Sequence, residues 1–167
     1  MSKPSVLIVG AGAVGLAVGY HLSLAGADIT FLVRPGRSSA CASPQQLYCY
    51  DDAELKTFAG YHVVESIAEL TEMPFQFVIV TLDGHSSFTE EGTALLRNLG
   101  DAIRTSEATV IMSGVALGLR EHYLQSMRIP RSVAERITRH AQPSGQRHLI
   151  RPCANRPGPG GPGQHQL

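Results

Sequence analysis

The chain has 167 residues, 43% of them apolar, and its 14 Lys and Arg balance 14 Asp and Glu; this is the make-up of one ordinary globular domain and excludes two full ones. A domain of this length buries roughly 70% of its unfolded surface, so its core needs neither disulfide nor metal. No apolar run approaches the ~18 residues of a membrane span, and Lys3 followed by a strand pattern is not a signal peptide.

Ser5 to Val9 is a short apolar run that suits a strand buried on both faces of a parallel sheet. Gly10-Ala11-Gly12-Ala13-Val14-Gly15 follows, then the Ala- and Leu-rich Leu16 to Ala25, closed by Gly26 as a helix C-terminal cap. Asp28 to Val33 reads as a second strand with the turn signal Arg34-Pro35-Gly36 behind it, which completes one βαβ unit. Leu47 to Tyr50 and Gly60 to Val64 read as short strands around the turn Asp51-Asp52, and Glu65 to Thr71 as a short helix. Phe75 to Leu82 is a further buried strand, Glu90 to Ile103 a helix with Ala94, Leu95, Leu99 and Ala102 on one face, and Thr109 to Met112 the next strand. Short helices are expected over Leu119 to Leu124 and Val133 to His140, neither with a clear sheet to pack on.

The zero net charge conceals an asymmetry. Residues 1–119 carry 6 basic and 12 acidic residues (6 − 12 = −6), whereas residues 120–167 carry 8 and 2 (8 − 2 = +6). All ten Phe and Tyr residues lie at or before Tyr123, and eight of the 17 residues from Arg151 to Leu167 are Pro or Gly. The ordering entropy of such a segment has no apolar burial to offset it. The expected organisation is therefore a three-layer α/β Rossmann-type domain with a mostly parallel sheet over residues 1–125, then a basic, Pro/Gly-rich, disordered tail over 126–167. Cys41, Cys49 and Cys153 are odd in number and lack metal-ligand spacing, which reads as free thiols in a reducing cytoplasm, without a metal site.

Glycine-rich turns are common, and context gives this one its meaning. It starts directly after a strand and opens a helix inside a βαβ unit, the arrangement of a dinucleotide-binding fingerprint. Gly10 permits the tight turn, Gly12 has no Cβ to obstruct a pyrophosphate, and Gly15 lets the helix pack closely. The helix N-terminus from Ala13 offers unpaired N–H groups and partial positive charge to the anion. Where NAD and FAD sites place Asp or Glu at the end of the second strand, this chain has Arg34, whose guanidinium favours a 2′-phosphate. Arg37, Ser38 and Ser39 add donors in the same loop, so NADP(H) is the expected cofactor.

Val6 to Gly15, the Phe31-Leu32-Val33-Arg34 strand end, Phe75 to Leu82 and Thr109 to Gly114 together resemble the N-terminal domain of the ketopantoate reductase (2-dehydropantoate 2-reductase) family over about residues 3–125. The resemblance implies NADPH-dependent reduction of a small 2-oxo acid, with Gly10, Ala11, Gly12, Ala13, Val14, Gly15, Arg34, Arg37, Thr81 and Leu82 at the cofactor. Three departures stand out. Thr81-Leu82-Asp83 replaces the family's Thr-Leu-Lys. Met112-Ser113-Gly114 replaces Gln-Asn-Gly, leaving Ser113 as the catalytic candidate at the asparagine position, with one hydroxyl in place of an amide's paired donor and acceptor. No lysine follows Lys56, so the general-acid lysine of the family's helical second domain has no counterpart, and a truncated, turnover-deficient chain is expected.

His85 and His122 are the histidines to weigh as substitutes; His21 falls on the first helix and His62 in a strand. The pairs Asp51-Asp52 and Glu90-Glu91 are accounted for by a turn and a helix start. Eight arginines after Leu119 lack interleaved aromatic residues or a recognisable reading module, so no nucleic-acid partner is expected. Self-association into a homo-oligomer is expected, because a face made for a second domain would otherwise stay exposed. Two other readings remain: a non-enzymatic NADP(H)-binding or interaction module, and an FAD-dependent oxygenase fragment with a similar glycine motif.

Overall fold

The computed structural model describes residues 3–49, 53–70, 73–113, 118–130, 137–139 and 151–152. Along the chain come β1 (Ser5–Val9), α1 (Ala13–Leu24), β2 (Asp28–Leu32), β3 (Gln45–Cys49), β4 (Glu54–Phe58), β5 (His62–Val64), β6 (Phe77–Val80), α2 (Gly84–Phe88), α3 (Glu90–Ala102), β7 (Thr109–Met112), α4 (Leu119–Ser126), β8 (Ile137–Arg139) and β9 (Arg151–Pro152). Single 3-10 turns occupy Ser39–Cys41 and Ile67–Leu70.

The main sheet runs β5-β2-β1-β6-β7, with β8 added beside β7, and every pairing is parallel. This is the doubly wound order, in which the chain moves outward from β1 first to one side and then to the other. Alternate side chains of each strand enter separate cores. Val6, Ile8, Ile29, Phe31 and Ile79 pack on one face with Leu16 of α1, while Leu7, Val9, Leu32, Val78, Val80, Val110 and Met112 pack on the other with Leu96 and Leu99 of α3. A sheet buried on both faces needs continuous apolar strands, which is why these segments show no polar alternation. The three-layer α/β fold expected from the sequence is the fold observed.

Local chemistry sets the element ends. At the C-terminus of α1, Gly26 has φ +88°, its N–H donates to Ser23 O at 2.9 Å, and Ala27 N–H donates to Leu22 O at 3.0 Å, a Schellman cap. Asp83 caps α2 by accepting from Ser86 N–H at 2.7 Å, and Thr89 caps α3 by accepting from Gly92 N–H at 3.0 Å, with Glu90 and Glu91 in the first turn.

Several boundaries depart from the sequence reading. Residues 45–49 form an antiparallel hairpin with Glu54–Phe58, not a pair with Gly60 to Val64; His62–Val64 instead extends the main sheet beside β2. The hairpin covers α1 through Leu47 and Phe58, the latter against Phe31 and Tyr61, so a small sheet does the work of an outer helix. The helix expected over Glu65 to Thr71 is the 3-10 turn at 67–70, and α2 was not foreseen because five residues are too few to show a period. The buried face of α3 is Gly92, Leu96, Leu99 and Gly100, while Ala94 and Ala102 are exposed. Contrary to expectation, α4 does meet the core: Leu119, Tyr123 and Leu124 are buried with β7 and α3.

The helix expected over Val133 to His140 contains a strand at 137–139, since the free edge of β7 offers parallel partners from Val110 to Met112; the rest of that segment lies outside the described residues. So does the Asp51-Asp52 turn. Of the expected tail, Arg151–Pro152 pairs antiparallel with Tyr48 and Leu47, and residues 153–167 lie outside the described residues.

Candidate nucleotide-binding site

The candidate site lies along the carboxyl edge of the main sheet. There the residue following each strand donates its amide to the last carbonyl of the neighbouring strand: Val33 to Val64 O, Gly10 to Leu32 O, Thr81 to Val9 O and Ser113 to Val80 O, all at 2.9 to 3.0 Å. Four loops thus leave the sheet in one row. Ligands of open α/β sheets bind in the crevice outside these carboxyl ends, where the strand order reverses, here between β1 and β6.

Gly10 takes φ +101°, a conformation that side chains with a Cβ resist. Gly15 is fixed by contact: a Cβ there would stand 2.1 Å from Gly10 O and 2.9 Å from Thr81 Oγ1. Gly12 differs, because a Cβ built on it meets nothing within 4 Å. It is also the N-cap of α1, with no side chain capping the helix and no acid in its first turn. The first amides of α1 and their partial positive charge therefore border open space, with Gly12 and Val14 exposed and Ala11 and Ala13 half-buried. These residues suit a diphosphate.

Thr81 serves the turn itself. Its hydroxyl lies 2.9 Å from Val9 O and 3.1 Å from Gly10 O, donating to the backbone of the glycine turn, and Leu82 packs within 3.8 Å of the Gly10 Cβ position. The structure thus brings Gly10 to Gly15, Thr81 and Leu82 together in one cluster. Ser113 is half-buried at the end of β7, two strands from Gly10.

Arg34 and Arg37 flank a turn beyond β2. Arg37 N–H donates to Arg34 O at 3.1 Å and Gly36 has φ +78°, as a Pro-Gly turn requires. Both arginines are exposed, and neither forms an ion pair among the described residues. One residue of this loop's surroundings escaped the sequence reading. Glu65, just after β5, accepts from Ser38 N–H at 2.7 Å. The Ser38 hydroxyl, with the Gly36, Ser38 and Arg37 amides, holds its carboxyl down at about 2. A separation of 27 residues left no local signal for that contact.

The remaining candidates are placed as structural groups. Asp83, standing where the resembled family has lysine, is engaged as the cap of α2, and its carboxyl is lowered chiefly by the Ser86 amide and then the Ser86 hydroxyl. His122 donates from Nε2 to Ser87 O at 2.7 Å and stacks on Phe88 with ring centroids 3.9 Å apart. His85 is exposed on α2, His21 lies on α1 and His62 on β5. Cys41 and Cys49 are free thiols, and among the described residues no three His, Cys, Asp or Glu side chains gather as metal ligands. No helix among them is long and apolar enough to cross a membrane.

A doubly wound parallel sheet with a glycine turn between β1 and α1 defines a dehydrogenase-type nucleotide-binding fold. Within that class, residues 6–86 match the family described as Ketopantoate reductase PanE/ApbA. Among solved structures, a protein described as a ketopantoate reductase from Ralstonia solanacearum MolK2 superposes with a TM-score of 0.59 at 20% identity, over 84% of this chain and 50% of that one. Malate dehydrogenase from Plasmodium falciparum, in complex with NADH, gives 0.56 at 14% identity, over 83% and 44%. Yersinopine dehydrogenase with NADP+ bound gives 0.52 at 15%, over 74% and 32%. At these identities the likeness is one of fold, and the chain spans half or less of each of these structures. No curated protein matches the chain at a significant level.

Proposed function

We propose that this chain binds NADP(H) as the nucleotide-binding part of a ketopantoate reductase-like oxidoreductase. The observation that carries the reading is the open space over Gly12 at the uncapped start of α1, beside a strand end that carries Arg34 and Arg37 in place of a carboxylate. The amides at the start of α1 hold the diphosphate, and the Arg34 guanidinium makes charge-assisted bonds to the adenosine 2′-phosphate. NADP+ bound to yersinopine dehydrogenase and NADH bound to malate dehydrogenase support a nicotinamide cofactor on this fold. When bound, NADPH supplies a hydride to the carbonyl carbon of a 2-oxo acid.

Ser113, two strands along the sheet edge, is the residue of this chain nearest in role to the family's amide, and its hydroxyl donates one hydrogen bond toward the nicotinamide or the substrate. Efficient reduction also needs a proton donor within about 3 Å of the developing alkoxide. Asp83 and His122 are committed to a helix cap and a backbone carbonyl, and no lysine follows Lys56. We therefore expect nucleotide binding with little or no turnover by this chain alone.

Fluorescence titration tests the binding step. Arg34→Ala is expected to weaken NADPH by about 1 to 3 kcal/mol and leave NADH nearly unchanged. Equal losses for both nucleotides would remove Arg34 from its role. Steady NADPH oxidation with ketopantoate would overturn the expected lack of turnover.

A further inference from the structure

Loops that recognise phosphate commonly use backbone amides, and the Ser38 amide lies in the loop that carries Arg34 and Arg37. Here an internal anion already meets it. Glu65 Oε1 accepts from Ser38 N–H at 2.7 Å, and hydrogen bonding from this loop, the Ser38 hydroxyl foremost, holds its carboxyl below the usual carboxylate range. Glu65 is itself anchored at both ends. Val33 N–H donates to Val64 O at 2.9 Å, which ties the end of β5 to β2, and the Glu65 and Ser66 amides donate to Glu69 Oε1 at 3.2 and 2.9 Å.

Two consequences follow for an adenosine ribose at this strand end. The Ser38 amide is committed to Glu65 and the Arg37 amide to Arg34 O, so neither is available to a 2′-phosphate. The carboxylate is equally committed to the loop and is a poor acceptor for a 2′-hydroxyl. The exposed Arg34 and Arg37 side chains are the charged groups placed to meet the phosphate.

We propose that Glu65 is a positioning residue for cofactor choice: by accepting from the Ser38 amide it holds the Arg34–Arg37 turn in the shape that presents two guanidinium groups to the 2′-phosphate. This rests on the NADP(H)-binding reading and adds a residue to it from a distant strand. The carboxylate acts through the loop and does not touch the nucleotide.

The test is a double-mutant cycle on the full chain, read by NADPH and NADH fluorescence titration. Glu65→Gln and Glu65→Ala are each expected to weaken NADPH about tenfold, with NADH changed less than about twofold, because the interaction lost is a set of charge-assisted hydrogen bonds that orient the arginines. In an Arg34→Ala, Arg37→Ala background the same changes at Glu65 should have almost no further effect on NADPH. Amide hydrogen exchange of residues 36–38 in the nucleotide-free chain should rise in Glu65→Gln while exchange in β1 and β6 stays put. Tighter NADPH binding by Glu65→Gln would overturn the proposal by showing that the carboxylate repels the phosphate. An equal loss for both nucleotides would overturn it by making Glu65 a ribose ligand or a general structural residue. If the unaltered chain bound neither nucleotide, the functional reading itself would fall; if it bound NADPH and the Glu65 variants kept its preference over NADH, only this inference would.

Discussion

Two residues around the glycine turn carry its shape, each for a different reason. Gly15 is required by space: a methyl group there would press on Gly10 O at 2.1 Å, so Gly15→Ala must displace either the start of α1 or the turn. We expect that variant to lose about 3 kcal/mol, measured by chemical denaturation, and to lose nucleotide binding with it. Thr81 is required by hydrogen bonding, since its hydroxyl serves two backbone carbonyls of the turn. Thr81→Val keeps the volume and leaves Gly10 O without that donor, at a cost of about 1 to 3 kcal/mol, whereas Thr81→Ser should stay near the parent. A thermal melt comparing the two separates a bracing hydroxyl from mere packing.

Among the elements, the loop after β2 is tied by a carboxylate that the fold brings to it, and the turn after β5 by its own Glu69. Glu65 is held at about 2, far below its ordinary value, through hydrogen bonds that exist only in the folded chain. A depressed carboxyl stabilises the fold above its unfolded pKa, and that contribution is lost as pH falls from about 4.5 toward 2. Asp83 and Asp101 are lowered in the same sense, the first chiefly by the Ser86 amide and the second by Arg104. Stability should therefore decline on acidification through this window, and Glu65→Gln should make the decline shallower; an unchanged acid limb in that variant would show that the Ser38 contact is not maintained in solution.

The same elements show where reading the chain alone reaches its limit. The cap at Gly26 and the helix start at Glu90-Glu91 were legible because their signals lie within a turn of the helix end they mark. The β3–β4 hairpin was misassigned because Glu54 to Phe58 alternates around a charged Lys56, and only packing of Phe58 on α1 and Phe31 marks it as a covering layer. The inward face of α3 was misjudged because Ala94 and Ala102 fit a helical stripe as well as Gly92 and Gly100 do. Contact with α2 and with the residues after α4 chooses the glycines.

For the molecule as a whole, the carboxyl edge of the sheet is the proposed binding side, and the opposite edge carries apolar exposure. Leu24 at the end of α1, Phe77 at the start of β6 and Met73 just before it are 67%, 38% and 43% exposed. Large apolar side chains held in water favour association, so we expect light scattering at high concentration to report species larger than a monomer. A clean monomer across the concentration range would remove that expectation.

The amino-acid sequence by itself determined the central strands β1, β2, β6 and β7, the glycine turn and the presence of Arg34 at a strand end, because each is written in neighbouring residues through apolar runs and backbone freedom. Tertiary structure alone decided that Thr81 braces the turn across 71 residues and that Glu65 meets the arginine loop through the Ser38 amide. Those assignments depend on which loops the parallel sheet sets side by side. Such adjacency arises from strand register and leaves no periodic trace along the chain.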